Sequence, residues 1–429
     1  MRTKLILDVR NAEKVKQQLL LWSQQFDNVV WLDSNQYDRS HTRYDAILAV
    51  DEFTSIRTSK INAFHKLNKF QRITKDWIFG YITYDIKNDI ELLKSENRDE
   101  LGFDELFFFQ PKKLFLLKGN KLEIQYLKFF EKDVERDLET IQRLNVTKEA
   151  HVNKLTIASR IKKDTYLKKV GTVLDHIHNG DIYEANFCQE FFAEKATINP
   201  VKTYNKLNDI SKPPFATFLK DGSNYLLSAS PERYIYKRGE IVTSQPIKGT
   251  AKRSQDAKED ARLISQLEND DKERSENIMI VDLVRNDLSK TAIKGSVQVK
   301  ELCKVYTFKQ AHQMISTIQS KVDKALPPVE IIKTTFPMGS MTGAPKISAM
   351  KIIEKLEETK RGLYSGCVGY FTPEDNFDFN VVIRSILYNS NNRYVSFSVG
   401  SAITSKSVPL NEYEECMIKA KAMLEVLEN

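Results

Sequence analysis

The chain has 429 residues, room for about three domains of roughly 150 residues or for one large core with a smaller cap. Hydrophobic residues make up 41% and charged residues 29%, and 65 basic against 58 acidic side chains leave a net charge of +7. This balance excludes a disordered chain. Both signs are interspersed and no arginine-rich or aromatic-interleaved stretch occurs, so no nucleic-acid partner is expected.

The segment before Asp8 has no long apolar run, so no signal peptide is expected. No run of about 18 uncharged apolar residues occurs, so no membrane span is expected either. Cys188, Cys303, Cys367 and Cys416 lie far apart without metal-ligand spacing, which reads as buried free thiols in a reducing cytoplasm. In chain order, alternating patterns predict strands at 45–50 and 77–84, and apolar runs predict buried strands at 106–109 and 113–117. The charged, glycine-poor stretch 132–152 reads as a linker or a solvated helix. A strand starts at 155–159. Apolar residues at 167, 170, 173, 174 and 177 predict a helix over 164–178, with Asp164 as N-cap and Gly180 as stop. Strands follow at 215–219, 225–228 and 234–236, then one long helix over 256–286 and another over 347–356. Strands at 366–371, 379–387 and 394–399 precede a closing helix over 408–427 with Pro409 in its first turn. Without regular βαβ alternation the fold class is α+β. The organisation expected is an N-terminal region, 1–150, and a main region, 151–429.

Five segments break these patterns. Ser230-Pro-Glu-Arg follows a strand, where a proline beside two charges is an odd continuation. In Ser244-Gln-Pro-Ile-Lys-Gly-Thr, Lys248 is either an exposed turn residue or a desolvated amine, and the second would lose its proton below the reference value of about 10.4. Glu273 and Glu276 share one helix face just before an apolar run. Phe336-Pro-Met-Gly-Ser-Met-Thr-Gly-Ala-Pro-Lys precedes a helix, where backbone N–H groups favour anions, although P-loop spacing is absent. Val399-Gly-Ser-Ala-Ile is followed by the acidic Asn411-Glu-Tyr-Glu-Glu-Cys. Mg2+ takes one or two carboxylates together with oxygens of its substrate, so a Mg2+-assisted enzyme on a small polyanion fits this set. Six histidines without ligand spacing argue against zinc.

In this order the five segments resemble those of the chorismate-utilising enzymes, from about Ile157 to the C-terminus. Trp31-Leu-Asp-Ser-Asn and Gly80-Tyr-Ile-Thr-Tyr-Asp add a weaker match to the N-terminal part of anthranilate synthase component I. The resemblance implies two face-packed, mainly antiparallel sheets with helices outside and the active site in the cleft. It also implies that the N-terminal region adds strands to this sandwich. At Pro246-Ile-Lys-Gly-Thr, anthranilate synthases carry Ala where Lys248 stands, whereas the aminodeoxychorismate synthase branch carries Lys. That branch turns chorismate and ammonia into 4-amino-4-deoxychorismate on the route to p-aminobenzoate and folate. Anthranilate synthase is the alternative. A non-catalytic anion-binding protein is the alternative from another class.

The resemblance assigns roles residue by residue. Lys248 is the nucleophile at C2, neutral before substrate enters, and Glu232 is the general acid for the departing C4 hydroxyl. Glu276 and Glu415 hold Mg2+, with Glu273 in its outer surroundings. Arg384 and Tyr370 grip a carboxylate, Gly400, Ser401 and Thr342 supply loop contacts, and His312 lies near the leaving group. Glu184 stands where the family usually has Gln, Ala402 where it has a second Gly, and Lys406 where it has Asp. Trp31-Leu-Asp-Ser replaces the Leu-Leu-Glu-Ser of tryptophan-binding members. No glutaminase motif accompanies these segments, and Cys367 belongs to a core strand, so ammonia comes from a separate glutamine amidotransferase subunit or from solution.

Overall fold

The computed structural model describes residues 1–37, 43–59, 61–91, 93–145, 154–309 and 311–429. Every paired strand is antiparallel to its neighbour, and two sheets meet along one long strand, Leu106–Lys118. From it the first sheet runs through Ala46–Thr58, Asn28–Asp33, Phe215–Asp221, Asn224–Ser230, Ser385–Asn389 and Tyr394–Thr404 to Glu184–Ala193. The second runs through Ile78–Ile82, Cys367–Phe371, Phe377–Val381, Arg233–Arg238 and Ile241–Gln245 to Ala311–Lys321. The N-terminal region therefore supplies strands to both sheets.

Alternation explains how the layers stack. Successive side chains of a strand point to opposite faces. Val30, Ala49, Leu226 and Leu387 pack with Phe79, Phe108 and Phe379 between the sheets. Their chain neighbours Val29, Leu48, Leu227 and Ile386 pack with Leu19, Tyr166, Leu207 and Met423. Those four lie on the outer helices Ala12–Trp22, Lys163–His178, Pro200–Ser211 and Pro409–Glu428. The first sheet is thus buried on both faces, and its strands read as continuous apolar runs. Each core draws on residues from both sides of position 150. The expected boundary falls in 146–153, outside the described residues.

Several elements depart from the sequence expectations. The runs at 106–109 and 113–117 form one strand despite Pro111. Within 132–152 a helix forms at Val134–Arg143, and 146–152 lies outside the described residues. Lys162 rather than Asp164 is the N-cap of the helix Lys163–His178. Asp164 instead places its charge in the first turn, where the helix dipole favours it. The long helix over 256–286 is two helices, Ala257–Glu268 and Asp271–Ser289, because the Asp270 side chain caps a new start by accepting from the Glu273 N–H. Among the described residues no helix is long and apolar enough to cross a membrane.

Candidate active site

At the far ends of the two sheets a cleft of about 490 Å³ opens. Its walls come from the strands Ile247–Lys252, Ala311–Lys321 and Tyr394–Thr404, the helices Asp271–Ser289 and Pro409–Glu428, and the turn after Ser230. Close backbone approach shapes it. A Cβ on Gly400 would lie 2.4 Å from Cys188 Sγ and 2.6 Å from Asn186 Oδ1, so only glycine fits there. Arg361 fixes the floor: it donates to the carbonyls of Met341 and Asn186 at 2.6 and 2.7 Å and pairs with Glu357.

Lys248 enters the cleft from an irregular stretch of strand. Its pairing register shifts between Ile247 and Thr250, and Gly249 sits at φ +94°. Such a bulge re-aims a side chain. The Nζ donates to Glu184 Oε1 at 3.1 Å. Burial pulls the ammonium down, but Glu184, Glu276 and Glu232 together outweigh it and hold Lys248 up at about 12. The expected neutral amine is therefore not what the free cleft holds, because the carboxylates around it keep its proton on. Burial pushes Glu232 up to about 7, against a hydrogen bond from Ser340 Oγ at 2.9 Å and the nearby Lys248. Its position follows from the proline turn. The Ser230 hydroxyl bonds the Val381 carbonyl and the Glu232 N–H bonds Ser230 Oγ, which aims the carboxyl inward.

A second group of carboxylates faces Lys248. Glu273 and Glu276 line the cleft from one helix and Glu415 from the closing helix. Burial pushes Glu276 up to about 7, and it also raises Glu273. Burial alone would raise Glu415 too, but Lys419, paired with it at 2.5 Å, and the more distant Lys248 and Lys272 hold its carboxyl below the ordinary value. Arg384 lies between two strands at φ +52°, a strained conformation for a side chain of this size. It faces the cleft, and among the described residues its guanidinium has no hydrogen-bond or ion-pair partner. Burial lowers its pKa, as Tyr364 and Glu415 pull the other way. A desolvated guanidinium without a carboxylate is a ready site for an anionic ligand.

The structure brings Lys248, Glu232, Arg384, Gly400, Glu273, Glu276 and Glu415 to this one cleft. Four sequence assignments fall elsewhere. Tyr370 lies on the second-sheet strand Cys367–Phe371, its ring tilted against those of Trp77 and Phe79 at 5.5 and 5.4 Å, and borders a separate cavity of about 60 Å³ with Asp33 and Tyr44. Tyr364, six positions earlier, lines the cleft instead. His312 is fully buried between Thr307 and Asp260, at 2.9 Å from each, and strand alternation turns its neighbour Gln313 to the cleft instead. Ser401 points its hydroxyl away from the cleft, 3.5 Å from the Tyr166 hydroxyl. Thr342 is spent on the Met338 carbonyl at 3.1 Å, behind Ser340 and Met341. Lys272 and Lys419 were not foreseen, although each lies four residues from a cleft glutamate on a helical face.

The family described as chorismate binding enzyme matches residues 22–425. The chain belongs to that family. Over 280 residues this chorismate-binding enzyme is 40% identical to the probable aminodeoxychorismate synthase, chloroplastic, of Oryza sativa subsp. japonica, which covers 65% of this chain and 31% of that protein. The match thus spans about a third of the rice protein's length. To anthranilate synthase component 1 of Thermus thermophilus it is 32% identical over 359 residues, 82% of this chain and 77% of that one. The solved anthranilate synthase component I of Streptococcus pneumoniae TIGR4 superposes with a TM-score of 0.78 at 26% identity, over 88% of this chain and 91% of that one.

The donor set suits a small hard cation. Glu276 Oε1 is buried without a hydrogen-bond partner, and Lys272 stands 3.8 Å from it and 3.8 Å from Glu412. Among the described residues no three His, Cys, Asp or Glu side chains converge closely enough to hold an ion by themselves. An incomplete carboxylate set completed by substrate oxygens and water is how Mg2+ is commonly bound.

Proposed function

We propose that this chorismate-binding enzyme is the synthase component that converts chorismate and ammonia to 4-amino-4-deoxychorismate through a covalent bond to Lys248. The carrying observation is the Lys248 amine projecting into a cleft that also holds a protonatable Glu232 and Arg384, unpaired among the described residues. Arg384 takes one substrate carboxylate by a bidentate fork, and Tyr364 beside it completes that wall. Glu276 and Glu415, with Glu273 in the outer surroundings, would hold Mg2+, whose charge offsets that of the ring carboxylate. Lys248 bonds C2 while Glu232, neutral below about 7, protonates the departing C4 hydroxyl, a poor leaving group otherwise. Ammonia then adds at C4 and Lys248 is released. The ammonia comes from a separate glutamine amidotransferase subunit. The four buried free cysteines support a reducing, cytoplasmic setting.

Anthranilate synthesis is the second reading. It is favoured by the ammonium state of Lys248, since a lysine that keeps its proton leaves C2 open to direct attack by ammonia. Mass identification of the product from chorismate, Mg2+ and ammonium separates the two. An aminodeoxychorismate product supports the proposal, and anthranilate or isochorismate refutes it. Glutamine in place of ammonium should give nothing until a glutaminase subunit is added.

A further inference from the structure

Lys248 stands in the free cleft as an ammonium, and an ammonium has no lone pair to attack with. Five carboxylates face it: Glu184, Glu232, Glu273, Glu276 and Glu415. Only Glu184 accepts a hydrogen bond from its Nζ. Glu184 is the most deeply placed of the five, 1% exposed at the start of the strand Glu184–Ala193. Its backbone is clamped against Gly343, where a Cβ would lie 2.1 Å from the Glu184 carbonyl oxygen. Its second oxygen, Oε2, is buried without any hydrogen-bond partner. One oxygen therefore holds the ammonium while the carboxylate as a whole is short of donors.

We propose that Glu184 is the proton acceptor that turns Lys248 into a nucleophile when chorismate fills the cleft. This rests on Lys248 being the attacking group. The ammonium–carboxylate pair and the amine–carboxylic acid pair contain the same atoms and carry the same net charge. They differ by one proton moved along a 3.1 Å hydrogen bond. Water favours the charged pair, and a dry site favours the neutral one. A substrate that displaces the cleft water, with its carboxylates taken by Arg384 and the cation site, shifts the pair toward amine and acid.

The sequence of steps then balances. The Nζ proton passes to Glu184. The freed electron pair forms the Nζ–C2 bond, the ring double bonds shift, and the C4–O bond breaks. The oxygen leaves as water with the Glu232 proton. Ammonia adds at C4, the double bonds return, and the Nζ–C2 bond breaks with its electrons going back to nitrogen. Glu184 returns its proton to that amine, and the new C4 ammonium reprotonates Glu232.

The test is adduct formation in a single turnover with chorismate and Mg2+ but no ammonia, quenched and read by intact mass across about pH 6 to 9. An internal proton transfer adds no rise with pH, so the wild-type rate follows Glu232 alone: level below about pH 7 and falling above it. Glu184→Gln should slow the adduct at least about tenfold near neutrality and make the ratio of its rate to the wild-type rate climb with pH, with chorismate affinity by equilibrium dialysis unchanged. A merely structural role would not tilt the profile. The wild-type rate and pH profile in Glu184→Gln would overturn the inference. If that variant does not fold, Glu184→Asp keeps the charge but withdraws the carboxylate: a slower adduct with the wild-type pH profile is expected, and the wild-type rate overturns the inference. Absence of an adduct on the wild-type chain instead overturns Lys248 as the nucleophile. An adduct on the wild type with an unaffected Gln variant removes Glu184 alone.

Discussion

Glu232→Gln separates stability from catalysis at one buried atom pair. The carboxyl sits at about 7 in the folded protein because burial disfavours its charged form, against 4.5 when unfolded. A raised carboxyl is neutral in both states below the unfolded value, so it costs nothing there. Above that value the unfolded chain releases its proton first, and the folded protein loses stability until the pH passes about 7. A shift of about 2.5 units at about 1.4 kcal/mol each gives a cost of about 3 kcal/mol above neutrality. Glutamine has the same shape, stays neutral, and keeps an oxygen for the Ser340 hydroxyl. The variant should therefore match the wild type at about pH 4.5 and exceed it by about 3 kcal/mol at about pH 8.5 in urea unfolding. Chorismate turnover should meanwhile fall by about 10² to 10⁴, the usual contribution of a general acid. A variant less stable than the wild type at the higher pH, or one that keeps full turnover, would refute the buried-acid reading.

Four further substitutions probe the rest of the cleft. Lys248→Ala should abolish any adduct trapped from chorismate and strongly slow 4-amino-4-deoxychorismate formation, measured by intact mass and product analysis; the full rate with the same product would remove its role. Glu276→Gln and Glu415→Gln should keep the wild-type circular dichroism but lose the Mg2+-dependent part of turnover in a metal titration, and unchanged titrations in both would dismiss the cation site. Gly400→Ala places a methyl against Cys188 Sγ and Asn186 Oδ1 and should cost about 1–3 kcal/mol in thermal melting together with chorismate affinity. An unchanged melt would mean that the wall is softer than its packing implies.

Much of the cleft was legible because its chemistry sits in short segments that violate strand or helix patterns. The proline turn at Glu232, the glycine after Lys248 and the paired glutamates are all visible as breaks in periodicity. The choice of which neighbouring residue faces inward was not. His312 and Gln313 differ only in strand phase, which is set by pairing partners far away in the chain, and Tyr364 lies in the turn before the strand Cys367–Phe371 that carries Tyr370. The strand Glu184–Ala193 was missed for a related reason. Glu184, Asn186, Gln189 and Glu190 are all buried on it, so polar residues interrupt the apolar signal of a core strand. The split of the 256–286 helix depended on one side-chain cap, which composition does not reveal.

The ladder that joins the two regions has a consequence for synthesis. Gly80 pairs with Gly369, so the strand Ile78–Ile82 waits for a neighbour made 369 − 80 = 289 residues later. At roughly 5–20 residues per second the ribosome needs about 15 to 60 s to deliver it. For that interval one edge of Ile-Phe-Gly-Tyr-Ile offers unpaired backbone groups and apolar side chains to any other nascent chain. Expression yield of this enzyme should therefore depend more on chaperone supply and growth temperature during translation than on the stability of the finished sandwich.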